Sequence, residues 1–224
     1  MTALLLALYA EGSSDDRFLP SVLQRTAESL LARRQRYAVE VAEPYIVTLP
    51  VARRGSADRA GLIAQAAREC ANFHALIVHS DADGPTRDRA YSERFLPGQQ
   101  RAAEESGSGR ATCQRLVPVI PVRMTEAWML ADLRALLRVI GTDLAPRDLG
   151  LPTRPRLVER VPDPKSSLDR LVRRCCPRRR RISVGDLYEP LGRQVDLGKL
   201  SQVPAYRQFA EDLTGVLVDL GMAA

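Results

Sequence analysis

The chain has 224 residues, of which 45% are hydrophobic and 27% are charged, a composition typical of a globular domain of ordinary size. It argues against wholesale disorder and against two large domains. No apolar run approaches the about 20 residues that a membrane-spanning helix needs. The first apolar run, residues 4–9, has no basic leader and runs into Glu11. We therefore expect a soluble, cytoplasmic protein without a signal peptide or a membrane association.

The charge of the chain is moderately basic. Its 33 basic and 27 acidic residues give a net charge of +6, and only Lys165 and Lys199 are lysines. The arginine surplus is compatible with phosphate recognition, but codon bias in a GC-rich genome is the explanation that we favour. The four cysteines and two histidines show no zinc-binding spacing, and we expect reduced structural thiols.

The first half of the chain alternates between apolar runs and segments with helical character. Strands are predicted at residues 4–9, 39–49, 75–78 and 117–122, and helices at residues 18–31, 57–71, 87–105 and 125–139. Pro118 and Pro121 bracket the fourth strand, which indicates a sheet edge or a strand broken at its ends. Apolar strands separated by helices predict an α/β fold with a parallel sheet covered by helices on both faces.

The second half of the chain begins with a change of composition. Five prolines lie in residues 146–164, and they predict an extended connection without regular structure. Short helices are predicted at residues 166–175 and 206–220. We expect one domain over residues 1–140, a proline-rich connection over 141–165, and a mainly helical extension over 166–224 that packs back on the core.

Acidic residues follow the first and the third predicted strand. Glu11 comes after the first strand, and Asp81 and Asp83 come after the third. Neighbouring parallel strands lie about 4.8 Å apart, so carboxylates that leave the same rim can converge. The spacing of Asp81 and Asp83 places both side chains on one side of an extended chain. Such carboxylates would repel one another, and Mg²⁺ or Mn²⁺ would remove that conflict.

The segments that follow the first and the third predicted strand resemble the signature of a known fold. A glutamate and a glycine after the first strand, with Asp-x-Asp-Gly after the third, resemble the Toprim fold of DnaG-type primases, topoisomerases and OLD-family nucleases. The chain is also similar to the bacterial family DUF4276 over nearly its whole length. Five segments carry that resemblance: residues 8–19, 81–84, 125–132, 163–165 and 195–213.

The resemblance implies a Toprim-like, Rossmann-like sheet with a metal-dependent site. Glu11 would be a general acid, base or metal ligand, and Asp81 and Asp83 would hold Mg²⁺. Asp15 stands where OLD-like nucleases bind a second metal, although it would also suit the cap of the first helix. Two ions can stabilise both the attacking and the leaving oxygen when a phosphodiester is hydrolysed, so this resemblance favours a nuclease.

Further candidates have two interpretations each. Glu126 follows the fourth strand, and we expect it to bind metal or to cap a helix. Lys165 would stabilise a transition state or would be a surface lysine. We expect His79, within its strand, to be buried rather than catalytic. Trp128 is expected to be a core residue rather than a base-stacking platform.

A cluster of arginines is the candidate for contact with nucleic acid, with DNA expected in preference to RNA. A solvated face or an acidic protein partner are the alternatives. The cluster consists of Arg173, Arg174, Arg178, Arg179, Arg180 and Arg181.

The function that these features predict is a Mg²⁺-dependent phosphodiester hydrolase in bacterial defence. The resemblance implies an ABC-type or SMC-like ATPase partner, which would be a separate chain because this sequence has no Walker A motif. Two alternatives stay open: a non-catalytic module that binds metal and nucleic acid or the ATPase, and a phosphoryl or nucleotidyl transferase that acts on a small nucleotide.

Overall fold

The computed structural model of the chain describes residues 2–34, 37–49, 58–175 and 182–224. The strands in these ranges are β1 (Thr2–Leu4), β2 (Leu6–Tyr9), β3 (Val39–Val41), β4 (Tyr45–Ile46), β5 (Ala75–His79) and β6 (Leu116–Val119). The α-helices are α1 (Asp15–Arg34), α2 (Arg59–Glu69), α3 (Asp88–Ala90), α4 (Leu96–Gly107), α5 (Glu126–Met129), α6 (Leu133–Ile140), α7 (Pro164–Cys175), α8 (Tyr188–Gln194), α9 (Leu197–Leu200) and α10 (Pro204–Asp219). None of the described helices is both long enough and apolar enough to cross a bilayer.

All the described strands pair in parallel. The order is β4-β2-β5-β6, and β1 pairs with β3 beside it. The register places Leu8 opposite both Ile46 and Ile77, and Val78 opposite Pro118. Since only Leu5 separates β1 from β2, these two strands form one run. The predicted α/β class with a parallel sheet is confirmed.

Two hydrophobic cores cover the two faces of the sheet. One core holds alternate strand residues together with α1 and the C-terminal helices, and these strand residues are Leu6, Leu8, Ala75 and Ile77. The other core holds the intervening residues with α2 and α4, and these are Ala7, Leu76 and Val78. Side chains alternate between the faces of a strand, so such strands are apolar throughout.

The outer edge of β6 is shaped by Pro118. The amide of Leu76 in β5 donates to the Arg115 carbonyl, and the amide of Ser80, just after β5, donates to the Val119 carbonyl. The backbone groups of the odd-numbered residues of β6 therefore face β5. Pro118 faces the outer edge, where it offers no N–H group for another strand to pair with. This confirms the sheet-edge prediction for the fourth strand.

The C-terminal helices pack on α1 and the core. Trp128 is fully buried and contacts Tyr206 and Phe209 of α10, which confirms it as a core residue. Gly192 of α8 lies against α1, and a Cβ atom there would be 2.4 Å from the Phe18 carbonyl oxygen. Only glycine permits this approach without a shift of the backbone.

Several predicted elements are interrupted in the structure. The prolines of residues 146–164 do not form a purely extended connection, because 3-10 helices span Pro146–Leu149 and Pro155–Arg160. Each begins with a proline, whose fixed φ suits the first position of a helix. The predicted helix over 125–139 is broken into α5 and α6, since the Asp132 carboxylate caps α6 by accepting hydrogen bonds from its first turn.

Candidate metal site

The sheet opens a crevice between the C-terminal ends of β2 and β5. The chain leaving β2 enters α1 on one face of the sheet, whereas the chain leaving β5 leads to α4 on the other face. Because β2 and β5 are neighbours, their outgoing loops diverge between them. In open α/β sheets, ligands bind at this kind of topological switch point.

Three side chains meet at this crevice in a group that could hold a metal ion. Asp15, His79 and Asp81 each offer one ligand atom, and these atoms lie within 4.8 Å of one another. His79 Nδ1 lies 3.7 Å from Asp15 Oδ2, and His79 Nε2 lies 3.3 Å from Asp81 Oδ1. The imidazole is fully buried, whereas the Asp81 side chain is 29% exposed. The group is therefore reachable from solvent at Asp81.

The local sequence explains how these side chains converge. His79 has the same parity as Ile77, so it faces α1, and Asp15 is the first residue of α1. A Cβ atom on Gly12 would lie 2.9 Å from Asp15 Oδ2, so glycine leaves room for that carboxylate. Thr125 orients the Asp81 carboxylate and the His79 ring. Its N–H donates to Asp81 Oδ1 at 3.1 Å, and its hydroxyl lies 3.0 Å from His79 Nε2.

The electrostatics of the group favour a cation between the carboxylates. Burial raises the pKa of the Asp15 carboxyl, and the His79 ring offsets part of that rise. Burial lowers the pKa of His79, but the hydrogen bond to Asp81 and the surrounding carboxylate charges outweigh it and raise this pKa. A divalent ion would supply the positive charge that a shared proton otherwise provides.

Glu11 lies beside the group, but its carboxylate has other partners. Glu11 Oε2 accepts hydrogen bonds from Ser80 Oγ at 2.9 Å and from the Asp81 N–H at 3.3 Å. Glu11 Oε1 is paired with Arg59, and Arg94 Nη1 lies 3.7 Å from Oε2. The structure thus places Glu11 next to the Asp15, His79 and Asp81 group, with its carboxylate held by arginines.

Asp83 contacts Arg94 rather than the other carboxylates. Its Oδ2 atom accepts from Arg94 Nη2 at 2.6 Å, and its side chain is 63% exposed. The two-residue spacing of Asp81 and Asp83 would place both side chains on one side only if the chain were extended. Asp83 instead has a φ of 54°. This left-handed conformation turns the Asp83 side chain away from the position that an extended chain would give it.

Glu126 is buried at the first position of α5 and is bonded to a helix of the C-terminal part. Its Oε1 atom accepts a hydrogen bond from the Tyr188 hydroxyl at 2.6 Å. Burial raises the pKa of Tyr188, and Glu126 raises it further, so the phenol stays a donor. Glu126 is not one of the three residues whose ligand atoms meet.

The remaining candidates belong to α7 and to the segment that follows it. Lys165 is exposed in the first turn of α7, and Arg173 pairs with Asp169 in the same helix. Arg174 Nη1 donates to the Asp148 carbonyl at 2.8 Å. The other members of the arginine cluster, Arg178, Arg179, Arg180 and Arg181, lie outside the described residues.

Sequence reasoning predicted the burial of His79, which the structure confirms, but it did not place this residue in a site. Strand parity was the available signal, because every second residue of β5 faces α1. Comparison of the chain with family models, with curated proteins and with solved structures found no match. The fold and the site together define an α/β protein with a parallel sheet, helices on both faces and a group that could hold a metal ion.

Proposed function

We propose that the protein is a divalent-metal-dependent phosphodiester hydrolase that acts on nucleic acid. The observation that carries the proposal is the convergence of Asp15, His79 and Asp81 at the switch point of the sheet. Carboxylate oxygens suit Mg²⁺ and Mn²⁺, and an imidazole nitrogen favours Mn²⁺ over Mg²⁺. We expect Mn²⁺ to bind more tightly than Mg²⁺.

The residues of the crevice would divide the work of hydrolysis. Asp15, His79 and Asp81 would hold the ion, and the ion would supply Lewis-acid chemistry, with a lower pKa for bound water and a polarised phosphoryl oxygen. Glu11, whose Oε2 atom accepts a hydrogen bond from the Asp81 N–H at 3.3 Å, would take the proton from water. Thr125 would keep the His79 ring and the Asp81 carboxylate in place.

The wider context of the proposal comes from the resemblance to the Toprim fold and to DUF4276. Nucleic acid, DNA in preference to RNA, would be the substrate, with the arginine cluster Arg173–Arg181 contacting its backbone. A separate ABC-type or SMC-like ATPase would be its partner chain in bacterial defence.

A second candidate function is a metal-binding module that does not turn over. The observation that favours it is the pairing of Glu11 with Arg59 and Arg94, because these contacts engage the carboxylate oxygens that would have to accept a proton from water. This candidate predicts metal binding without cleavage.

Cleavage of supercoiled plasmid and of single-stranded DNA with Mn²⁺ or Mg²⁺ separates the two functions. We expect the wild type to cut, and Asp81→Asn to cut slower by a factor on the order of 10² or more. Asp88→Asn is the control, because Asp88 is an exposed carboxylate in the first turn of α3. Tight metal binding by a wild type that cuts neither DNA would contradict the hydrolase and support the module.

A further inference from the structure

The Glu11 carboxylate lies in a ring of hydrogen-bond donors and cations. Ser80 Oγ and the Asp81 N–H donate to Oε2, Arg94 Nη1 approaches the same oxygen, and Arg59 pairs with Oε1. Arg59 comes from the start of α2, and Arg94 comes from the π-helical turn Tyr91–Phe95. Two separate elements on one face of the sheet thus direct arginines to one point.

We propose that Arg59 and Arg94 form the binding site for a phosphate group of the substrate, an inference that rests on the proposed function. In this structure the Glu11 carboxylate pairs with Arg59 and lies 3.7 Å from Arg94 Nη1, while Asp83 and the Asp81 carbonyl accept hydrogen bonds from Arg94. Arginine forks bind carboxylate and phosphate oxygens with the same bidentate geometry, so a donor set that holds one also fits the other. Phosphate would exchange with Glu11, whose side chain is 27% exposed, and would free it for the metal-bound water.

The position of the pair suits a phosphate that also contacts the metal. Ser80 and Asp81 are adjacent in the loop after β5. Asp81 belongs to the group of three residues that could hold a metal ion, whereas Ser80 contacts Glu11 and Arg94. A cavity of about 30 Å³ adjoins Glu11, Arg59 and Arg94. A cavity of that size has room for water but not for a phosphate group. A phosphate therefore needs the displacement of Glu11.

The charge of the crevice gives a reason for arginines at this point. Several carboxylates surround it, among them Glu11, Asp15, Asp81 and Asp83. They would repel a phosphodiester, and one divalent ion would offset only part of their negative charge. Arg59 and Arg94 offset a further part. The arginines thereby lessen the repulsion that an anion meets as it approaches the metal.

Arg94 is positioned by unusual backbone on both sides. Its π-helical turn is a rare conformation that is often found at functional sites. On the other side, Asp83 adopts its left-handed conformation while it accepts from Arg94 Nη2, and the Asp81 carbonyl accepts from Arg94 Nη1 at 2.7 Å. Strained backbone of this kind persists where it serves a site.

The rival explanation is that the arginines only anchor Glu11. An anchoring role predicts that their removal changes the mobility of Glu11 and leaves phosphate affinity unchanged. A phosphate-binding role predicts a loss of phosphate affinity with little change in metal affinity. Arg59 is the cleaner position for the test, because Arg94 also holds the loop that carries Asp81.

The test is calorimetric titration of inorganic phosphate into the full-length, Mg²⁺-loaded protein. We expect Arg59→Ala and Arg94→Ala each to weaken phosphate binding at least tenfold and Arg59→Lys to restore part of it, because lysine keeps the charge but not the fork. Arg89→Ala is the matched control, since Arg89 is 82% exposed and pairs with Glu93 within its own helical segment. Arg89→Ala is expected to bind phosphate within twofold of the wild type.

Metal titrations of the same proteins keep this inference distinct from the proposed function. We expect Arg59→Ala to bind Mn²⁺ within about threefold of the wild type, because the ion pair of Arg59 is with Glu11 and not with a member of the three-residue group. A wild type that binds neither Mn²⁺ nor Mg²⁺ would overturn the proposed function and this inference with it. A wild type that binds metal, with no phosphate binding or with equal phosphate affinity in Arg59→Ala, would overturn this inference alone.

Discussion

Replacement of Asp81 by asparagine is expected to weaken Mn²⁺ binding at least about a hundredfold. The amide keeps the shape of the side chain and can still accept from the Thr125 N–H, but it removes one of the two carboxylate charges in the three-residue group. A hard divalent ion depends on that charge for its affinity. Isothermal titration with Mn²⁺ measures the change directly.

The same titration needs a control for overall charge and a check of folding. Asp88→Asn removes an exposed carboxylate outside the group and is expected to leave the affinity within about twofold. Asp81→Asn is expected to melt within a few degrees of the wild type, because it relieves repulsion with Asp15. Equal Mn²⁺ affinity in Asp81→Asn and the wild type would exclude Asp81 as a ligand.

Replacement of Gly192 by alanine is expected to destabilise the protein by about 3 kcal/mol. Alanine is a better helix former than glycine by about 1 kcal/mol, so helix propensity alone predicts that the substitution stabilises the protein. The steric contact decides the outcome, since the new Cβ would lie 2.4 Å from a backbone oxygen of Phe18. Backbone cannot rotate away as a side chain can, so α8 must move off α1. Urea unfolding followed by circular dichroism gives the free energy of unfolding.

Gly215→Ala is the matched control for the same substitution at an exposed position of a helix. Nothing lies within 4 Å of a Cβ atom at Gly215 of α10. Alanine there is expected to stabilise the protein by about 0.5 to 1 kcal/mol. If both variants were more stable than the wild type, the close contact between α1 and α8 would be contradicted.

Much of the fold follows from local patterns in the sequence. The run Leu6, Ala7 and Leu8 is apolar on both faces, which requires a covered sheet, and the structure covers both faces. Proline at position 118 marks the sheet edge because it cannot donate a ladder hydrogen bond. Parallel strands then bring the residues after β2 and after β5 to one rim, as the positions of Asp15 and Asp81 show.

The parts of the site that escaped prediction depend on non-local contacts. Asp83 turns toward Arg94 through a positive φ that no residue spacing encodes. Arg94 lies in a π-helical turn that interrupts its helix, and no motif in the sequence marks that turn. Glu126 is held by Tyr188, a residue 62 positions away, so its partner could not be read from the neighbouring sequence.

The most direct test of the metal site is anomalous diffraction from crystals of the full-length chain grown with Mn²⁺. We expect one strong anomalous peak within coordination distance of the Asp15 and Asp81 carboxylates and of a ring nitrogen of His79. That peak should vanish in Asp81→Asn crystals grown in the same way. A Mn²⁺ peak elsewhere, or none between these three side chains at saturating Mn²⁺, would contradict the central claim that they form a metal site.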